Sequence, residues 1–189
     1  MKKSIVTLAA LLGIPLAAMA HPGHEAVGFL GAFMHPLTGI DHLLVMLAVG
    51  FWAARAGSEN RFIIPSLFLG ALFAGLFVGT LMTASSLVEQ SIALSVIAMA
   101  IVLVVASRIP FALQLIITSV FAVLHGLVHG QELITSGNSF IACAGLALST
   151  SLILAVGYVL GSQKQKLGAF LQQVLVAILT VAGSVLVLS

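Results

Sequence analysis

Six apolar runs, at 27 to 54, 62 to 84, 88 to 107, 111 to 130, 140 to 161 and 168 to 188, fill nearly all of the chain beyond its first twenty residues. A helix needs about 20 residues to cross about 30 Å of hydrocarbon, so each run has the length of one transmembrane helix or slightly more. The runs lack the alternation of a lipid-facing barrel strand, and helices satisfy every backbone polar group within the segment. With 61% hydrophobic and 6% charged residues, the chain lies far from the soluble norm of about 25% charged. The predicted fold is therefore an all-α integral membrane protein with six transmembrane helices in a single domain, residues 21–189.

Residues 1–20 have a different character. Lys2 and Lys3 precede an apolar stretch from Ile5 to Leu16, and Ala18-Met19-Ala20 has the small-x-small pattern of a signal peptidase site. The segment reads as a cleavable signal peptide, which would place a mature N-terminus, beginning His21-Pro22-Gly23-His24-Glu25, in the periplasm of a bacterium. The lone Cys143 excludes an intrachain disulfide framework. The formal charge of +2 gives no nucleic-acid footprint, because two of the seven basic residues belong to the signal and the others are scattered. No phosphate-binding glycine loop occurs and no soluble stretch could fold as a nucleotide-binding domain, so any pumping must draw on a gradient or a partner.

Starting outside, six spans put the connections at Arg55 to Arg61, Arg108 to Pro110 and Ser162 to Leu167 in the cytoplasm, with every basic residue of the mature chain. The opposite connections hold Glu89 and Glu132 and no Lys or Arg. This asymmetry agrees with the signal-derived orientation and points to a multi-pass protein of the bacterial inner membrane. All six histidines then fall in or beyond the outer half of the bilayer.

Ionisable groups at membrane depth cost several kcal/mol unless paired, which makes them functional candidates. The first span contains His35-Pro36-Leu37-Thr38-Gly39-Ile40-Asp41-His42. Pro36 and Gly39 should break the helix there, leaving an outer piece followed by a helix from about Ile40 to Ala54. In the fourth span His125, His129 and Glu132 stand at i, i+4 and i+7, one stripe on one helical face. Together these residues read as a divalent-metal site. Asp41 could bind the ion directly or hold the ring N–H of a ligand histidine. Imidazoles with one or two carboxylates favour Ni, Co, Zn or Cu over Mg or Ca, and the spacing does not choose among the four.

Each of these residues also has a plainer reading. A single histidine in a membrane helix is often a structural hydrogen-bonder, but four histidines and an aspartate at one level favour a site. Met46, one turn below His42, could add a thioether, although packing is the better account of it and of Cys143. Glu89 reads as a solvated cap before it reads as a ligand. His21 and His24 form either a mobile tail or an outer capture point for metal. Gly75 with Gly79, and Gly157 with Gly161, have the spacing for close helix approach. Gly126 and Gly130 each follow a histidine and could bring another helix to the site.

The HPGH start after the signal, the H-x5-DH pattern at His35, Asp41 and His42, and the HGxxHGxE pattern at His125, His129 and Glu132 resemble the HupE/UreJ family of small bacterial membrane proteins associated with hydrogenase and urease systems. The resemblance implies nickel uptake, or cobalt uptake in some members, by a secondary permease without ATP hydrolysis. It also implies that His35, Asp41, His42, His129 and Glu132 are needed for transport, with His125 matching the first histidine of the second motif. The metal is then substrate, no resident cofactor is expected, and a hydrogenase or urease maturation system is a possible partner. Two other classes compete with this non-enzymatic reading. One is a metal-binding accessory that transports nothing. The other is an intramembrane zinc hydrolase with Asp41 or Glu132 activating water, for which an HExxH helix is missing.

Overall fold

The computed structural model describes residues 28–57, 61–83, 86–133 and 139–188, and for residues 132, 133 and 139 the backbone alone. The expected signal peptide, His21 and His24 lie outside the described residues. Those described contain helices and no strand. The first apolar run forms α1 (Phe29–Thr38) and α2 (Ile40–Ala53), separated by Gly39. The later runs form α3 (Ile63–Gly79), α4 (Ser86–Val105), α5 (Phe111–Leu133), α6 (Ser139–Gly161) and α7 (Gln165–Leu188). A 3-10 turn at Ala106–Arg108 prolongs α4.

Four helices, α4 to α7, are long and apolar enough to cross a membrane, and the pair α1 and α2, bent by 78°, supplies a fifth apolar passage. The run at 62 to 84 gives a shorter helix than its length predicts. Thr80 caps α3 and turns its hydroxyl back to the Phe77 carbonyl at 2.7 Å, which leaves 17 helical residues and a length of about 26 Å. Large apolar side chains such as Leu30, Phe77, Leu87 and Phe140 are exposed around the outside. In water such a surface would drive association, whereas a lipid tail solvates it at no cost. The protein is a multi-pass, α-helical membrane protein.

Between helices in lipid the hydrophobic effect supplies little attraction, so close packing of small residues governs which helices pair. A Cβ built on Gly75 or Gly79 would collide with the backbone of Val123 or Leu127, and one on Gly126 or Gly130 with the backbone of Leu72 or Leu76. Helices α3 and α5 are thus joined by glycines from both sides, and the rising numbers of each pair show that they run parallel. Gly157 and Gly161 likewise admit the backbone of Leu47 and Phe51, pairing α6 in parallel with α2. Gly145 admits Phe29 of α1. Helix α7 packs antiparallel on α4, where Gln172 donates to the Leu103 carbonyl at 2.7 Å and Gly183 meets Ile97.

These directions alternate along the chain. Arg55, Arg61, Arg108, Lys164 and Lys166 therefore gather at one end of the bundle, and the start of α2 and the last turns of α5 lie toward the other. Between the ends the core is filled by Phe51, Trp52, Phe68, Leu72 and Met99, all essentially inaccessible.

Replacing Gly75 by Ala should lower the unfolding free energy of the purified protein by about 1–3 kcal/mol, since the new methyl meets backbone that cannot rotate away. Gly70→Ala, at a position with open space around it, should be neutral. Denaturation in detergent with increasing dodecyl sulfate measures both.

Candidate metal centre

Two sequence signals shape the outer piece of the first span. Pro36 lies inside α1 and removes the N–H that the Ala32 carbonyl would otherwise accept. The helix continues for two further residues and stops at Thr38, whose hydroxyl donates to the carbonyls of Met34 at 3.1 Å and His35 at 3.2 Å. Gly39 then adopts an extended conformation, φ −75° and ψ 107°, and α2 starts at Ile40. The break is thus at Gly39, with Pro36 weakening the turn that precedes it.

The bend brings His35 and His42 together. In a straight helix seven residues would separate them by about 10.5 Å along the axis, whereas across the 78° turn their ring centroids are 5.3 Å apart. Asp41, in the first turn of α2, accepts the His42 backbone N–H at 2.8 Å and faces the His42 Nδ1 at 2.7 Å through the same oxygen. A carboxylate only accepts, so Nδ1 carries a proton, and in the neutral ring Nε2 is the nitrogen that presents a lone pair. Asp41 therefore fixes the tautomer of His42. A Cβ on Gly39 would lie 3.1 Å from Asp41 Oδ1 and 3.3 Å from His42 Nδ1, so glycine also leaves room for this pair.

The other two histidines come from α5, about ninety residues away in the chain. His125 Nδ1 donates to the Phe121 carbonyl at 2.8 Å, which again leaves Nε2 as the lone-pair nitrogen. The sequence carries no signal for this backbone acceptor beyond the i−4 position. His129 is fully enclosed, and neither ring nitrogen has a hydrogen-bond partner among the described residues. Nor do His42 Nε2 and His125 Nε2. The His42 ring centroid lies 4.7 Å from that of His129 and 5.1 Å from that of His125, and His35 is 5.1 Å from His129.

One nitrogen each from His35, His42 and His129 fall within 4.8 Å of one another. Nitrogens bound to one ion at about 2.1 Å can be no more than about 4.2 Å apart, so a small rotation of the rings closes them on a metal. His125 borders this trio through His42, with Phe68 of α3 walling its far side at 6.4 Å. Enclosed imidazoles with bare lone pairs are costly to maintain in an apolar core and suit a borderline divalent cation.

The remaining candidates divide. Glu132 continues the stripe on the α5 backbone, and its side chain lies outside the described residues. Met46 is fully enclosed in the apolar core, Cys143 is half-buried against that core and apart from the trio, and Glu89 is exposed in the first turn of α4. Gly126 and Gly130 bring α3 against α5 directly behind the α5 histidines.

Comparison with known proteins identifies the relatives of this arrangement. The family model described as HupE / UreJ protein matches residues 9–186. The chain belongs to the HupE / UreJ family. Among curated proteins, Protein HupE of Rhizobium leguminosarum bv. viciae is 35% identical over 183 residues, covering 96% of each chain. No solved structure matches. In this HupE / UreJ chain the two polar motifs, far apart in sequence, meet at one end of the bundle.

Because Asp41 acts through His42, Asp41→Asn should weaken Co2+ binding by about 10- to 100-fold without abolishing it. His129→Ala, which removes a nitrogen of the trio, should abolish it. Titration of the purified protein with Co2+, followed by visible absorption, separates the two effects.

Proposed function

We propose that this protein is a secondary transporter that imports a divalent transition metal, Ni2+ or Co2+, from the periplasm to the cytoplasm through the histidine centre. The observation that carries the reading is the trio of half-buried His35 and buried His42 and His129, formed where a broken helix meets α5. Six membrane passages, counting α1 with α2 as one and including the short α3, leave the histidine end facing the periplasm and the basic end facing the cytoplasm. Behind the signal peptide, His21 and His24 would sit on the periplasmic side and deliver ions to the centre. Glu132 would add a carboxylate to the histidines at its mouth. Membership of the HupE / UreJ family links the cargo to nickel for a hydrogenase or urease.

The membrane potential is a sufficient driving force. One charge moving through 100 mV is worth about 2.3 kcal/mol, so a divalent ion gains about 4.6 kcal/mol, which sustains about three decades of concentration. No described acid chain continues inward from Asp41 to relay protons. The hydrolase alternative finds less support, because the chain lacks the HExxH helix that such zinc hydrolases use to hold the metal and its general base.

Cells lacking their own nickel transporters should accumulate labelled nickel when they express this chain, and His42→Ala at equal membrane abundance should reduce uptake to background. Binding without uptake in liposomes would instead assign the protein to the accessory class. Protons compete with the ion for the imidazole lone pairs, so uptake should fall as the external pH is lowered from 7 toward 5.

A further inference from the structure

Below the histidine centre, α5 carries two polar side chains that the metal motifs do not include. Thr118 is fully enclosed, and its hydroxyl has no partner among the described residues. Gln114 is 9% exposed; its amide nitrogen donates to the carbonyls of Ala106 at 3.3 Å and Ile109 at 3.2 Å, and its oxygen Oε1 has no partner among the described residues. At 100° per residue, Gln114, Thr118, His125 and His129 lie within about 60° of one another around the helix axis. They form one stripe about 22 Å long, most of the thickness of a bilayer core.

The lower end of the stripe opens into a cavity. A space of about 550 Å³ at the basic end is lined by Gln114, Ser107, Gln172 and Arg55, with Trp52 and Leu103 among its apolar walls. At about 30 Å³ each, it has room for roughly eighteen waters, enough to hydrate a divalent ion. Arg55 is held over the Phe51 ring, 5.0 Å from its centroid, and its fixed positive charge discourages a cation from resting there. Such a cavity releases a cation and does not store one.

We propose that the ion leaves the histidine centre along this face of α5, passing Thr118 and Gln114 as successive oxygen donors, and enters the cytoplasm through the cavity at the basic end. The inference rests on the transport reading above and adds to it the inward half of the route. Buried polar oxygens normally have partners, and two in succession on the face that bears the histidines have a function if they meet an ion and its water in transit. Between Thr118 and His125 the stripe is closed by Ala122, which is fully enclosed, and Phe121 beside it. That apolar layer is the gate, and it separates the centre from the cavity in this conformation.

The test uses the full chain in liposomes with Ni2+ and the purified protein with Co2+. Thr118→Val and Gln114→Leu should keep Co2+ affinity within about twofold of wild type while cutting the initial rate of Ni2+ uptake at least tenfold, and Thr118→Ser should restore most of that rate. Thr118→Val protein that binds Co2+ and transports at the wild-type rate would overturn the route.

A second measurement does not depend on transport. In a Cys143→Ser background, a charged thiol reagent applied to membranes open on both faces should label Gln114→Cys and Thr118→Cys faster than Ile116→Cys, although Ile116 is 60% exposed toward lipid and the other two are buried. Labelling of both stripe positions with no uptake by the wild-type chain would refute the transport reading and retain the aqueous path. Failure to label either position would refute the path itself, whatever the wild-type chain transports.

Discussion

Glycine against backbone is the contact on which this bundle depends. Helices surrounded by lipid gain little from burying apolar surface against one another, so dispersion across close-packed faces must hold them together. Gly75 and Gly79 on α3 interlock with Gly126 and Gly130 on α5, and Gly157 and Gly161 on α6 receive α2. These pairs fix depth as well as partner, because a glycine groove accepts a neighbouring backbone only in register. The glycines that follow His125 and His129 therefore seat one side of α5 on α3, which leaves the histidine face directed at the broken first span.

At that break the polar chemistry is concentrated. Gly39 turns the chain by 78° and gives His35 and His42 positions that no straight helix could offer them. Asp41 and the Phe121 carbonyl each hold a protonated Nδ1, and so turn the Nε2 lone pairs of His42 and His125 away from their anchors. An imidazole in an apolar core without such an anchor would choose between two tautomers. Anchored, it presents one nitrogen, and ordering the ring before the metal arrives reduces the entropy lost on binding. The arrangement unites HupE / UreJ membership with a centre suited to a borderline divalent ion, and on the proposed route the stripe below it would offer that ion oxygen donors on the way to the basic end.

Much of this was legible along the chain. The length of each apolar run gave the helices to within a few residues, and the predicted start of α2 at Ile40 is where the structure places it. The i, i+4 spacing of His125 and His129 gave one face of α5, since helical periodicity is a local property. The break was expected near Pro36 and Gly39, and the structure resolves it to Gly39, because a proline can continue a helix that it weakens and an extended residue cannot. Run length was less reliable for α3, where the Thr80 hydroxyl and Gly79 end the helix inside a run of uniformly apolar average.

The sequence by itself determined the class of protein, the order and approximate bounds of its helices, the end at which the basic residues gather and the identity of the four histidines. Only the tertiary structure decided that His129 joins His35 and His42 while His125 borders them, that Asp41 serves His42, and that Gln114 opens into a cavity. It also placed Met46 in the core and Glu89 on the surface. The division has a physical cause. Helix formation and membrane insertion depend on residues within a turn or a span of one another, so composition and periodicity encode them. The distance between rings ninety residues apart depends on how close two backbones can come, and that is set by which glycine meets which carbonyl after the helices have formed.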